Sequence, residues 1–334
     1  MQQQVQQRIG TEWRGERHGH LRFNRYGDEH AVPGAGEAGQ NCAGTGVHKG
    51  EQRPAPPRRT IEDVNAPNVT GWVLLEHPGP WGGSAAHESA LVPERLRAAA
   101  RDRNLRVHLV RPHGRRSRGS APGAVFLART TGPIQFVERL RDADDLDADA
   151  LDLIVAGRPT GRGPVLTDPL YLTCTHGRVD AWCAIRGRPV ARALATAAPG
   201  RAWESTHVGG CRFAANVVCL PSGVYYGRMT AAEVAGVVAA TDSGAIALPW
   251  YRGRADLPAP AQVGERFLRS LTGLERLADI RFTGFGSGTA TDVHDLRFTS
   301  AWGDYELLLR AGPTPSAGFE VVSIVEHRHP VATR

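Results

Sequence analysis

Two pairs of metal-ligating side chains lie close together in the middle of this chain, and they constrain its fold more than any other feature. Cys174 precedes Cys183, and His207 precedes Cys211, all within fewer than forty residues of a 334-residue chain with five cysteines. Thiolate and imidazole are ligands that zinc and iron–sulfur clusters accept. If the four groups serve one centre, the fold must bring two separate loops to the same place.

The residues around the two pairs favour this convergence. Cys174 ends the apolar run LYLTC before a glycine turn, and Cys183 opens a segment with helical patterning. The free N–H groups at a helix N-terminus stabilise a thiolate there. Gly209 and Gly210 allow a sharp backbone turn, so that His207 and Cys211 can face one metal ion. Each pair can therefore serve one iron of a two-iron cluster.

The strings CTHGRVDAWCAIRGRPVARAL and HVGGCRFAANVVCLPSGVYYGR closely resemble the sucrase/ferredoxin-like family, most densely between Gly71 and Tyr251. The resemblance implies a thioredoxin-like ferredoxin domain with a [2Fe–2S] cluster held by two cysteines and by two histidines of an HVGGH motif. Carried over, it implies Cys174, Cys183 and His207 as ligands. This chain has Cys211 in place of the second histidine. Cysteine also ligates iron, so the four expected ligands are Cys174, Cys183, His207 and Cys211.

Composition narrows the class of protein and its partners. The net charge of +6 comes from arginine interspersed with acidic residues, and no nucleic-acid motif accompanies it, so no nucleic-acid partner is expected. The basic balance can attract an acidic redox partner, such as a reductase or flavoprotein. An odd number of cysteines argues against a disulfide scaffold and favours a reducing cytoplasm. With no long apolar run and no signal-peptide pattern, we expect a cytoplasmic protein without a membrane partner.

The pattern along the chain predicts four regions. Residues 1–65 are polar and lack a periodic apolar face, so a disordered tail is expected, and its Cys42 has no cysteine neighbour. Residues 66–160 and 161–251 read as two α/β lobes, and residues 252–334 as a small α+β appendage. The strand, helix, hairpin and helix of the second lobe suit the thioredoxin-like fold that the resemblance implies, and the first lobe is expected to share it.

Within the second lobe, the sequence predicts a hairpin around Pro221, Ser222 and Gly223. Thr230 and Glu233 have capping-box spacing and predict a helix that begins after Thr230. Cys219 lies in the apolar strand NVVCLP and reads as a buried, inert thiol. His176 is a candidate hydrogen-bond donor to cluster sulfur.

Function follows from the ligand set, and alternatives stay open. The leading interpretation is a one-electron carrier with a single [2Fe–2S] cluster. A structural zinc site with the same Cys3His set is the alternative, although the eight residues between Cys174 and Cys183 fit zinc knuckles poorly. Cys174 and Cys183 can also be two thiols packed in a core. Thiol–disulfide exchange lacks a Cys-x-x-Cys motif, and no distinctive carboxylate pair supports a glycosidase. No oligomeric state is predicted.

Overall fold

The computed structural model describes residues 20–22, 64, 66–84, 89–90, 92–114, 123–287, 292–313 and 318–328. The expected disorder of residues 1–65, and Cys42 with it, falls almost wholly outside these residues. The exceptions are Val64 and a short strand, β1, His20–Arg22.

Nine strands form one continuous mixed sheet in the described residues, in the order β10-β9-β8-β6-β7-β3-β2-β4-β5. They are β2 Gly71–Glu76, β3 Leu105–Pro112, β4 Val125–Arg129, β5 Phe136–Leu140, β6 Leu170–Cys174, β7 Ala202–Ser205, β8 Val217–Leu220, β9 Val224–Tyr226 and β10 Tyr251–Arg254. Both predicted lobes contribute to this sheet. The strand that joins them is β7, which pairs in parallel with β6 and antiparallel with β3.

Four helices accompany the sheet in the part of the chain that the structure describes: α1 Glu94–Asp102, α2 Ala148–Val155, α3 Ala181–Ala197 and α4 Val234–Asp242. Side chains of each strand alternate between two buried faces. Val73 of β2 belongs to the apolar cluster that includes residues of α1 and α2. Trp72 belongs to a different cluster, which also contains Cys174 and Cys183. Cys174 and Cys183, two of the four predicted ligands, therefore lie in the core on one face of the sheet.

Two local predictions can be compared with the structure. The hairpin around residues 221–223 is confirmed, since β8 and β9 pair antiparallel across it. The helix expected after Thr230 begins only at Val234. Glu233 accepts a hydrogen bond from the Thr230 backbone N–H at 2.7 Å, so the two residues close a turn before the helix.

The C-terminal region forms an α+β unit, although residues 252–254 belong to β10 of the large sheet and β1 joins the C-terminal sheet from the predicted tail. Helix α5, Ala259–Thr272, packs on an antiparallel sheet and ends at Gly273, which has a φ of 71°. Its principal strands are β11 Ile280–Phe285, β12 Val293–Ser300, β13 Gly303–Ala311 and β14 Phe319–Arg328, and β1 pairs at the edge with β14. Glu265 of α5 forms a buried ion pair with Arg254 of β10 at 3.2 Å, which ties this unit to the large sheet, and a second one with Arg269 of its own helix at 2.9 Å. The mixed α/β fold class is therefore confirmed.

Among the described helices, none combines the length and the apolar character needed to cross a bilayer.

Candidate metal centre

The first pair of predicted ligands is held by β6 and α3. Cys174 is the last residue of β6, and all five residues of that strand are buried. Cys183 lies in the first turn of α3, which Asp180 caps by accepting a hydrogen bond from the Trp182 backbone N–H at 2.8 Å. Cys174 and Cys183 are each only 1% exposed. The first turn of the helix therefore places its thiol directly beside the end of the strand.

A glycine allows this close approach. Gly187 lies one turn after Cys183 in α3, and a Cβ atom at that position would meet the carbonyl oxygen of Cys174 at 2.2 Å. Only a residue without a side chain lets the helix pack so near the strand. The spacing of Cys183 and Gly187 thus fixes the distance between the first two ligands.

The second pair lies in the loop after β7. Gly209 and Gly210 have φ angles of 99° and 72°, in the left-handed region that favours glycine, and a short 3-10 turn, Cys211–Phe213, follows. The Asn216 side-chain amide donates a hydrogen bond to the Gly210 carbonyl at 2.9 Å. The sharp turn predicted between His207 and Cys211 is therefore present, and the hydrogen bond from Asn216 stabilises it.

The four side chains converge. Ligand atoms of Cys174, Cys183 and His207 all lie within 4.8 Å of one another. The Cys211 Sγ lies 3.5 Å from the His207 Nδ1 and also interacts with the Cys183 thiol. Cys174 and Cys183 are buried, whereas His207 and Cys211 are half-buried, so the site opens to solvent on the side of the second pair.

Hydrogen bonds within this group shift its titration when the side chains are free of metal. The pKa of Cys174 lies well below its usual value, chiefly because the Cys183 thiol donates a hydrogen bond to it. Hydrogen bonds from Cys183 and then from His207 lower the pKa of Cys211 to about 6. The pKa of Cys183 is raised by its hydrogen bonds with Cys174 and then with Cys211, since the two sulfur atoms share its one thiol proton. Hydrogen bonds to Cys174 and Cys211 raise the pKa of His207 to about 10.

Backbone amides add to the stabilisation of negative charge on sulfur. The N–H groups of His176 and Val208 both donate to the Cys174 thiolate. The His176 Nε2 bonds to the Gly82 carbonyl at 2.7 Å, and the buried Nδ1 of this ring has no hydrogen-bond partner in the described residues, so the ring's suggested role as a donor to cluster sulfur stays a prediction. Cys219 lies apart from the group on β8, where burial raises the pKa of its thiol to about 12. This is consistent with the inert thiol expected there.

The donor set fits a metal centre. A tetrahedral site with metal–sulfur bonds of about 2.3 Å separates its sulfur atoms by roughly 3.8 Å, so ligand atoms within 4.8 Å of one another need only a small closure. Deprotonated thiolates and a ring nitrogen are the forms that bind zinc or iron. The residue types therefore suit either group, whereas the spacing fits one tetrahedral ion directly, and a two-iron cluster would require the two ligand pairs to move apart.

Sequence reasoning missed one group that supports the site. Arg252 of β10 is 2% exposed, and its guanidinium lies 4.2 Å from the centre of the Phe213 ring and donates a hydrogen bond to the Asn216 Oδ1 at 2.6 Å. Since Asn216 in turn holds the Gly210 carbonyl, Arg252 supports the turn between His207 and Cys211 from a distance of some forty residues along the chain. An arginine in the short string YRGR carries no signal of burial.

Comparison with known proteins identifies the family of this chain. The sequence profile of the sucrase/ferredoxin-like family matches residues 65–253, which include all four clustered side chains. Residues of the chain are 35% identical over 99 positions to altered inheritance of mitochondria protein 32 of the yeast Meyerozyma guilliermondii. That match covers 26% of this chain and 35% of the length of the yeast protein. No solved structure matches the chain significantly. Because the profile spans more than half of its length, the chain belongs to the sucrase/ferredoxin-like family.

Proposed function

We propose that the protein binds one [2Fe–2S] cluster through Cys174, Cys183, His207 and Cys211 and acts as a one-electron carrier. The observation that carries the proposal is the convergence of two ligand pairs from two loops, β6–α3 and the turn after β7. A two-iron cluster needs one pair of ligands for each iron. The family to which the chain belongs is consistent with this assignment.

The cluster would supply reversible one-electron chemistry, and the protein contributes the surroundings. Burial of Cys174 and Cys183 keeps water from their sulfur atoms, and the amides of His176 and Val208 offset negative charge there. Half-exposed His207 and Cys211 give an electron a short route to the surface. The proposed role needs no substrate pocket.

Anaerobic purification followed by an ultraviolet–visible spectrum tests the proposal. We expect a reddish-brown protein with about two irons and two acid-labile sulfides per chain. Cys174→Ser and Cys183→Ser should lose the colour, whereas the matched control Cys219→Ser should keep it, because Cys219 lies away from the group on β8. A protein that stays colourless after anaerobic reconstitution with iron and sulfide would refute the proposal.

The second candidate is a structural zinc site that uses the same residues. The observation in its favour is the compact spacing of Cys174, Cys183 and His207, which one tetrahedral ion could span. It predicts one tightly bound zinc per chain, no visible absorption, and loss of fold stability when the metal is chelated. Metal analysis of the same preparation therefore separates the two candidates.

The finer details of the fold and setting also belong to the proposal. Strand β6, helix α3, strand β7, the β8–β9 hairpin and helix α4 follow one another as a thioredoxin-like half would. We propose that this half carries the cluster, that the strands preceding it form a second such lobe, and that the protein works in the cytoplasm with a reductase or flavoprotein. A crystal structure of the loaded protein would test the lobe assignment.

A further inference from the structure

An exposed apolar pair lies next to the buried ligand Cys183. Trp182 and Ile185 are 40% and 59% exposed, and they are one turn apart on α3. Seven large apolar side chains are exposed in the described residues, and no other two of them lie within one turn of one helix. Adjacent exposed apolar side chains of this kind mark a contact surface more often than scattered ones do.

Arginines join this pair to the second ligand loop. The Arg186 guanidinium lies 4.7 Å from the centre of the Trp182 ring, and its Nη1 donates to the Ala214 carbonyl at 3.4 Å. The Phe213 ring, on the same loop as Ala214, lies 4.7 Å from the guanidinium of Arg212 and 5.1 Å from that of Arg228, which follows β9. All three arginines are exposed, and Arg212 directly follows Cys211. The exposed edge of the candidate centre is therefore apolar on one side and basic on the other.

Within the described residues, neither Arg186 nor Arg212 forms an ion pair. Asp180 is half-buried and caps α3, which leaves its negative charge in place and close enough to act on Cys211. Glu204, on the neighbouring strand, is buried and held by Arg111 at 2.8 Å. The surface formed by Trp182, Ile185, Arg186 and Arg212 thus keeps a net positive charge, since its two exposed arginines outnumber Asp180.

We propose that this surface is the docking site of an acidic redox protein, which exchanges one electron with the cluster beside Cys211. This inference rests on the proposed function. Tryptophan and arginine are the residue types that carry most binding energy at protein interfaces. Complementary charge speeds encounter and orients the partner. Arginine would also attract a nucleic acid, but an exposed aliphatic side chain such as Ile185 adds little to nucleic-acid binding. Ile185 suits instead the apolar centre of a protein interface.

The test uses two ferric cytochromes of opposite charge as probes, the acidic cytochrome b5 and the basic cytochrome c. The cluster-loaded full chain is reduced, and transfer of one electron from its cluster to each haem iron is followed by stopped flow at several salt concentrations. Arg212→Glu should slow transfer to the acidic probe at least about tenfold at low salt and should not slow transfer to the basic one. Ile185→Ser should slow transfer to the acidic probe roughly threefold or more.

Two matched controls lie elsewhere in the fold. Arg281→Glu makes the same change of charge on exposed β11, and Ile134→Ser removes an isoleucine that is 58% exposed in the turn between β4 and β5. Both should transfer electrons as the unsubstituted protein does. If glutamate at position 212 only lowered the cluster potential, transfer to both cytochromes would speed up, so slowing confined to the acidic probe reports on docking.

Failure of the docking inference and failure of the proposed function give different results. Calorimetric titration of cytochrome b5 into the full chain measures docking whether or not a cluster is present. Suppose that the protein takes up no cluster but binds cytochrome b5, and that Arg212→Glu and Ile185→Ser abolish this binding. The carrier proposal is then refuted, and the proposed docking surface stands. Equal rates and equal binding in these variants and in the controls overturn the surface. Tighter, salt-sensitive binding of a single-stranded oligonucleotide through the same side chains overturns it too.

Discussion

Replacing Gly187 by alanine should push the first turns of α3 away from β6 and so separate Cys183 from Cys174. The added Cβ would lie 2.2 Å from the Cys174 carbonyl oxygen, about 1 Å closer than the 3.4 Å at which ordinary contact begins. The contact is with backbone at the end of a buried strand, so rotation of a side chain cannot relieve it. The helix must therefore shift.

The magnitude follows from two opposing effects. Forcing an extra methyl group into a packed core costs about 1–3 kcal/mol. Alanine in place of glycine inside a helix stabilises the folded state by about 0.5–1 kcal/mol. We expect Gly187→Ala to lower the free energy of unfolding by about 1–2 kcal/mol. Because metal–ligand distances tolerate only about 0.2 Å of error, cluster content should fall more than stability does.

A second helical glycine provides the control. Gly236 lies in α4, is exposed, and has no atom within 4 Å of an added Cβ. Gly236→Ala should therefore raise the free energy of unfolding by about 0.5–1 kcal/mol. Urea denaturation of both variants should give changes in the free energy of unfolding of opposite sign, and the iron and sulfide content of each variant is measured in parallel. A Gly187→Ala protein with unchanged stability and full cluster content would contradict it.

Further predictions concern the second loop, the cluster charge and pH. Cys211→His replaces an anionic ligand by a neutral one and should raise the midpoint potential by more than about 100 mV in voltammetry. Gly210→Ala should lower the free energy of unfolding by about 2–4 kcal/mol in urea denaturation, because the added Cβ would lie 2.2 Å from the Arg252 guanidinium. Gly200 has a similar φ and open space around it, so the control Gly200→Ala should lower it by only about 1 kcal/mol. Burial raises the pKa of Asp256 to about 6 in the folded state, above its usual value of 3.8, so its ionisation destabilises the fold as pH rises through that window. Asp256→Asn should therefore gain stability relative to the unsubstituted protein between pH 4 and 7, and a pH-independent difference would contradict the assignment.

The sequence predicts the ligand pairs well because their chemistry is local. A cysteine at a strand end, a cysteine at a helix start and a double glycine each leave a signal in a few neighbouring residues. The helix around Cys183 and the turn before Cys211 could be read from these signals. Their convergence could be expected only by assuming a common centre, since no local pattern measures the distance between two loops.

Strand β7 shows why the rest could not be predicted. Its four residues include Glu204, a carboxylate that is 5% exposed and breaks any apolar pattern. Burial alone would raise the pKa of Glu204, but hydrogen bonds from Arg111 and His113 lower it overall. Both partners lie about ninety residues earlier in the chain. The strand that joins the two halves of the sheet thus depends on ion pairs between residues that only the tertiary fold brings together. The burial of Arg252 depends on the tertiary fold in the same way.

The position of the four ligands along the chain has a consequence for how the centre assembles during translation. Strand β6, helix α3, strand β7 and the turn that ends at Phe213 form one uninterrupted segment. Loop-closure entropy rises with the length of chain between contacts, so it costs little to bring together ligands so near in sequence. All four ligands are synthesised before α4 and before strands β11 to β14. An incoming metal or cluster can therefore meet its complete ligand set before the C-terminal strands are made.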